Sequence, residues 1–231
     1  MSKRRLAIIT GWSLILMAAL AGFSLGYAYP EFYQSDQIEL LKDNVLNNLG
    51  LYRNMLIGIS LILILDFLVS YTLYAIRYTL YEYFKDDNRK ISLISGALRI
   101  AYTLIFGIAT FHLSKNLNIT GITNQSINTN LELFQSIWSG GLIIFGLHLI
   151  LIGILMKLHD RIPKILWYVT LIGGISYIIV HLLKLVNPNL EFVNTLEMIL
   201  ALPMAIGELG LAIWLLVKGG KEDEIKKEAS R

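Results

Sequence analysis

Four ionisable side chains interrupt long apolar runs in this 231-residue chain. They are Asp66 in "SLILILDFLVSYTLY", Arg99 in "ISGALRIAYT", His148 in "FGLHLILIG" and Glu208 in "AIGELGLAIW". Each type brings its own chemistry. The two carboxylates can accept hydrogen bonds, hold a cation or carry a proton. An arginine stays charged and requires an anion, either a protein carboxylate or the headgroup or phosphate of a ligand. A histidine can change charge near neutral pH, so His148 is the natural candidate for a proton switch. A charge placed at mid-bilayer costs about 2.5–3.5 kcal/mol on insertion scales, so such groups face protein or water and have partners.

The runs around them belong to a membrane protein. Hydrophobic residues make up 55% of the chain and charged residues 16%, against about 25% charged in an ordinary soluble domain. The mean hydropathy is +0.59. Six runs reach the length of a spanning helix, about 20 residues. They cover roughly 6–27, 55–76, 91–112, 134–156, 163–186 and 196–217. The expectation is an all-α bundle of six transmembrane helices, with residues 1–231 forming a single polytopic membrane domain. A cleaved signal peptide is the rival reading of the first run, on the strength of "KRR", an apolar core and small residues near "GYAYP".

The distribution of Lys and Arg orients the bundle. Lys3, Arg4 and Arg5 precede the first span. Arg77, Lys85, Arg89 and Lys90 lie between the second and third, and Lys157, Arg161 and Lys164 between the fourth and fifth. Lys218, Lys221, Lys226, Lys227 and Arg231 follow the last. The alternate links hold only Lys42 and Arg53, then Lys115, then Lys184. The positive-inside rule then places both termini in the cytoplasm of a multi-pass cell-membrane protein. Topology thus accounts for the net charge of +3, and no nucleic-acid partner is called for; the partner is the lipid bilayer. In the first outer loop, Ile38, Leu41, Val45 and Leu49 share one helical face. A short amphipathic helix there would cap the bundle or lie on the outer interface. The second outer loop, "NLNITGITNQSINTN", is Asn- and Thr-rich and reads as flexible. Trp12, Trp138, Trp167 and Trp214 fall near predicted boundaries, where an aromatic belt belongs.

Depth can be counted from each span's cytoplasmic end. At 1.5 Å per residue, Asp66 lies about 15 Å in, Arg99 and His148 about 12 Å and Glu208 about 14 Å. The four therefore share one layer, slightly cytoplasmic of the midplane, on four different helices. Two readings stay open. The layer is a buried ion-pair lock in which Arg99 pairs with Asp66 or Glu208 and His148 bonds beside them. Otherwise it is a substrate or proton site of a small transporter. In the third span Ser92, Gly96, Arg99, Thr103, Gly107 and Thr110 form one small, polar face, suited to close helix approach or to a wet cavity. In the fourth, Ser139, Gly146 and Gly153 form a stripe from which His148 points away. In the sixth, Pro203 precedes Glu208, with Gly207 and Gly210 beside the acid. Three spans on either side of the middle would permit an inverted repeat, although no residues match between the halves.

The sequence has no H-E-x-x-H or P-loop pattern. The chain has no cysteine. His112, His159 and His181 disagree with His148 in depth and spacing, so no metal set is expected. The reading is of a non-enzymatic protein without cofactor. An intramembrane enzyme acting on lipid ranks last, for want of a nucleophile or metal.

The stretch "FGLHLILIGILMKLHDRIPKILWYVTLIGGISYII" resembles the prokaryotic membrane proteins grouped as domain of unknown function 4386. The likeness rests on Gly146, Leu147 and His148, on Arg161, on Ile162 to Leu166, and on Tyr177. The last span, "GELGLAIWLLVKG", is similar to the family's closing segment, "ALRIAYT" to its arginine-bearing segment and "DFLVSYTLY" to its acid-bearing second span. The resemblance implies six spans with a shared polar core containing Asp66, Arg99, His148 and Glu208. It implies no activity.

Overall fold

The computed structural model describes residues 3–33, 38–71, 80–118, 121–159, 161–187 and 191–221, with backbone alone for 70, 71 and 80–87. Arg77 and the tail from 222 onward, including three of the basic residues used for orientation, lie outside the described residues. The described chain is helical throughout, without strands. Helix α1 (Lys3–Ala21) runs into a π-helical segment, Gly22–Ala28, and a short 3-10 turn, Tyr29–Glu31. Then come α2 (Leu41–Asn47), α3 (Leu49–Tyr71), α4 (Leu80–Lys115), α5 (Asn124–Leu158), α6 (Lys164–Val186) and α7 (Glu191–Val217). Six of these segments are long and apolar enough to cross a bilayer. With mean lengths well above a globular helix, they make the chain a multi-pass membrane bundle.

The six long helices form a closed ring. Each packs on its neighbour in sequence, α1 on α3, α3 on α4, α4 on α5, α5 on α6 and α6 on α7, and α7 closes on α1. Glycines set the closest approaches. A Cβ at Gly146 would lie 2.6 Å from the Gly174 carbonyl oxygen, and one at Gly174 2.7 Å from that of Gly146. Gly173 sits as closely on the Pro203 carbonyl, and Gly207 on the Thr170 backbone. Backbone contact of this kind is how membrane helices gain dispersion energy where no hydrophobic drive operates between them. The Gly146 and Gly153 stripe of α5 thus faces α6, where Ser139 also meets His181 at 3.3 Å.

The first span is built into the ring. Gly11 abuts Ala212 and Leu216. Arg4 donates to the carbonyls of Leu215, Leu216 and Gly219 at 3.1, 2.7 and 3.0 Å. These carbonyls lie at the C-terminal end of α7, where a cation is favoured, and that of Leu215 also accepts the Gly219 N–H at 3.1 Å. Arg4 therefore caps a helix, and the contact puts the start of α1 and the end of α7 at the same end of the bundle.

One loop expectation changes. The Asn/Thr-rich segment before the fourth span is helix from Asn124 onward, because Thr123 caps α5 by accepting the Ser126 N–H at 3.1 Å. At 35 residues and 1.5 Å each, α5 is about 52 Å long, well beyond a hydrocarbon core of about 30 Å. Its polar first turns extend outside that core and hold the cap: Asn124 accepts the Lys42 N–H at 2.7 Å and donates to the Glu39 carbonyl at 2.7 Å. The amphipathic α2 buries Leu41 and Val45 against this end. The longer α5 also moves Trp138 away from a helix end, and it stacks on Phe134 and lies tilted against Phe106 within an aromatic cluster. At the opposite end, the described part of the link before the third span is helical from Leu80. It breaks at Asn88, whose side chain accepts the Ile91 N–H at 3.1 Å.

Candidate functional site

The layer lies where the ring's helices converge, and its geometry follows from one guanidinium. Arg99 projects from α4, whose small residues leave room for it. It is 2% exposed, and Asp66 on α3 is fully buried. Arg99 Nε donates to Asp66 Oδ1 at 2.7 Å, and Nη2 lies 2.7 Å from the same oxygen. The Thr103 hydroxyl, one turn along α4, donates to Asp66 Oδ2. Asp66 thus accepts charge-assisted bonds on both oxygens, the arrangement in which a buried carboxylate is best compensated.

The remaining nitrogen, Nη1, points the other way. It lies 3.4 Å from Glu208 Oε1 on α7 and 3.3 Å from His148 Nε2 on α5. Phe145, one turn before His148, covers the guanidinium with its ring centroid 5.7 Å from Cζ. The histidine's state follows from its neighbours. A guanidinium only donates, so the ring nitrogen facing it is a lone-pair acceptor. The other, Nδ1, therefore carries the hydrogen and donates to the Ser95 carbonyl at 2.8 Å, with the Ser95 hydroxyl at 2.9 Å. His148 is neutral in this arrangement, held by α4 at both nitrogens. Charging it requires Arg99 to withdraw.

The four residues named by depth are thus in mutual contact, with Arg99 at the centre. Sequence reasoning passed over Ser95 and Thr170. Ser95 lies four residues before Arg99, on the same side of α4, and that i, i+4 relation was available in the sequence. Thr170 of α6 donates to the carbonyls of Leu166 and Gly207. With Leu14 of α1 it lines a small void beside Arg99, His148 and Glu208. The void offers about 10 Å³ to the centre of a water molecule, which is room for about one water. Glu208 keeps 27% of its side chain exposed, against 0% for Asp66. Among the described residues, no three His, Cys, Asp or Glu side chains converge so as to hold a metal ion. His112 and His181 lie elsewhere on α4 and α6, and the His159 ring meets Trp214.

This geometry of acid, arginine, histidine and acid has a family around it. The model of the family described as a domain of unknown function, DUF4386, matches residues 9–219. The chain belongs to that family. The matched region runs from the first span to the end of the last and so includes the whole polar layer. An uncharacterised protein of Archaeoglobus fulgidus is 29% identical over 170 residues, which are 74% of this chain and 86% of the relative. No solved structure matches the chain.

Proposed function

We propose that this member of the family is a non-enzymatic membrane protein with a structural or accessory role, and that its polar layer is an ion-pair lock. The lock ties α3 to α4 through Asp66, Arg99 and Thr103, and draws α5 and α7 to the same guanidinium. One observation carries the reading: Arg99 is buried with two nitrogens on one carboxylate, beside a void the size of a single water. A solute pathway requires more room than that. The lock holds helices whose mutual attraction in lipid is weak, and it fixes their register at one depth. The basic end of the bundle, which carries Arg4, Lys157, Lys164 and Lys218, is assigned to the cytoplasm and the bilayer to the cell membrane, on the positive-inside rule.

The rival is a proton-linked permease, favoured by the partial exposure of Glu208. Reconstituted liposomes with an entrapped pH dye separate the two. The expected result is a proton leak equal to that of protein-free liposomes under an imposed gradient. A flux present in the wild type and lost in Glu208→Gln would overturn the structural reading.

A further inference from the structure

The layer holds two acids and one guanidinium, and they are unequally matched. Asp66 receives two arginine nitrogens at 2.7 Å and the Thr103 hydroxyl. Glu208 receives a single nitrogen at 3.4 Å, outside the 2.7–2.9 Å usual for a charge-assisted bond. Among the described residues, nothing else nearby supplies positive charge. From α5 comes His148, neutral because its Nε2 accepts from Arg99 and its Nδ1–H is given to Ser95. Tyr102 of α4 and Tyr177 of α6, both packed on the Phe145 ring, supply no positive charge. From α6 the void wall is Thr170, and from α1 it is Leu14. From α3 comes Asp66, a second negative charge. An ionised Glu208 would therefore leave an uncompensated carboxylate at a depth where charges are costly.

We infer that Glu208 is a proton-binding site: it holds an exchangeable proton, received through the one-water void, while Asp66 stays ionised against Arg99. A water there would have polar partners in Glu208, Arg99 and Thr170, as an ordered internal water requires. The Glu208 side chain is 27% exposed and borders the void, whereas Asp66 is sealed. The inference rests on the part of the proposed lock that makes Asp66 the arginine's partner. It adds a ligand, the proton, to the acid that the lock leaves over.

The test is carbodiimide labelling of the purified full-length protein in detergent, mapped by peptide mass spectrometry from acidic to alkaline pH. A carbodiimide adds across the O–H of a protonated carboxyl and remains as an N-acylurea, so it reports protonated acids in apolar surroundings. The expected result is an adduct on Glu208 and none on Asp66, declining as pH rises and absent in Glu208→Gln. In Asp66→Asn, Arg99 is released to Glu208, which ionises, and the Glu208 adduct is expected to be lost. Equal labelling of Asp66, or a Glu208 adduct indifferent to pH, would overturn the proposal. Protection by sodium at fixed pH would replace the proton by a metal cation and also overturn it. If no adduct forms, infrared spectra decide: a protonated-carboxyl band that disappears in Glu208→Gln sustains the proposal, and identical spectra sink it. The lock fails separately, through additive stability losses in Asp66 and Arg99 variants, whatever the state of Glu208.

Discussion

Replacing Asp66 by Asn removes a charge while keeping the side chain's shape, and its cost can be worked from the contacts. The carboxylate accepts the Arg99 Nε–H on one oxygen, with Nη2 ion-paired to the same oxygen at 2.7 Å, and the Thr103 hydroxyl on the other. An amide keeps one acceptor oxygen but turns an NH2 toward Arg99 or toward Thr103, setting donor against donor in one of the two orientations. Hydrogen bonds to charged groups contribute about 1.5–3 kcal/mol each. Breaking a buried pair and stranding its partner costs about 3–5 kcal/mol. Here Glu208 softens the loss, because its Oε1 stands 3.4 Å from Nη1 and can close on the stranded guanidinium. The low end of that range, about 3 kcal/mol, is therefore expected. For a chain of this length that corresponds to a fall in Tm of about 6–12 °C. Arg99→Gln is expected to cost a similar amount, since it leaves Asp66 charged and buried. In the double variant two neutral amides face each other and can bond, so the combined loss should fall short of the sum by about 2 kcal/mol. Thermal unfolding of the four proteins in one detergent, followed by tryptophan fluorescence, measures the coupling. Strictly additive losses, or an Asp66→Asn variant within about 0.5 kcal/mol of wild type, would refute the pairing.

Four further outcomes test other parts of the bundle. Gly146→Ala pushes a methyl to 2.6 Å from the Gly174 oxygen and should cost about 1–3 kcal/mol in the same melt. Gly140→Ala, with nothing within 4 Å of its Cβ, should instead gain up to about 1 kcal/mol from helix propensity. Arg4→Gln removes the cap on the α7 carbonyls, and faster amide hydrogen exchange over residues 215–221 is expected, detected by mass spectrometry. Asn124→Ala cuts both bonds that hold the outer cap to α5, so trypsin should cleave after Lys42 sooner than in wild type, with little change in Tm.

Much of the bundle was legible because the bilayer imposes lengths that the sequence must meet. Six apolar runs predict six helices, and the structure has them, differing mainly at their ends. The ends were less legible because caps and tertiary contacts decide them. Asn and Thr between Asn124 and Asn130 look like loop residues, yet Thr123 starts a helix there and Asn124 is spent on the Lys42 and Glu39 backbone. Arg4 reads as a topology signal, and its capping of α7 depends on a helix more than two hundred residues away.

Within the layer the division is sharper. Depth is a one-dimensional quantity, a count of residues times a fixed rise, so the sequence by itself determined that Asp66, Arg99, His148 and Glu208 lie at one level. It also determined that an arginine there must have an anion. Which acid takes which nitrogen depends on the rotation of each helix and on the order of helices around the ring, and no single run of residues encodes either. Only the tertiary structure decided that Asp66 takes Arg99's Nε and Nη2, that His148 is held neutral between Arg99 and Ser95, and that Glu208 is left with one long contact. The physical reason is packing: glycine contacts between α5, α6 and α7 set how close Glu208 can come, and the small face of α4 lets Arg99 reach Asp66 first.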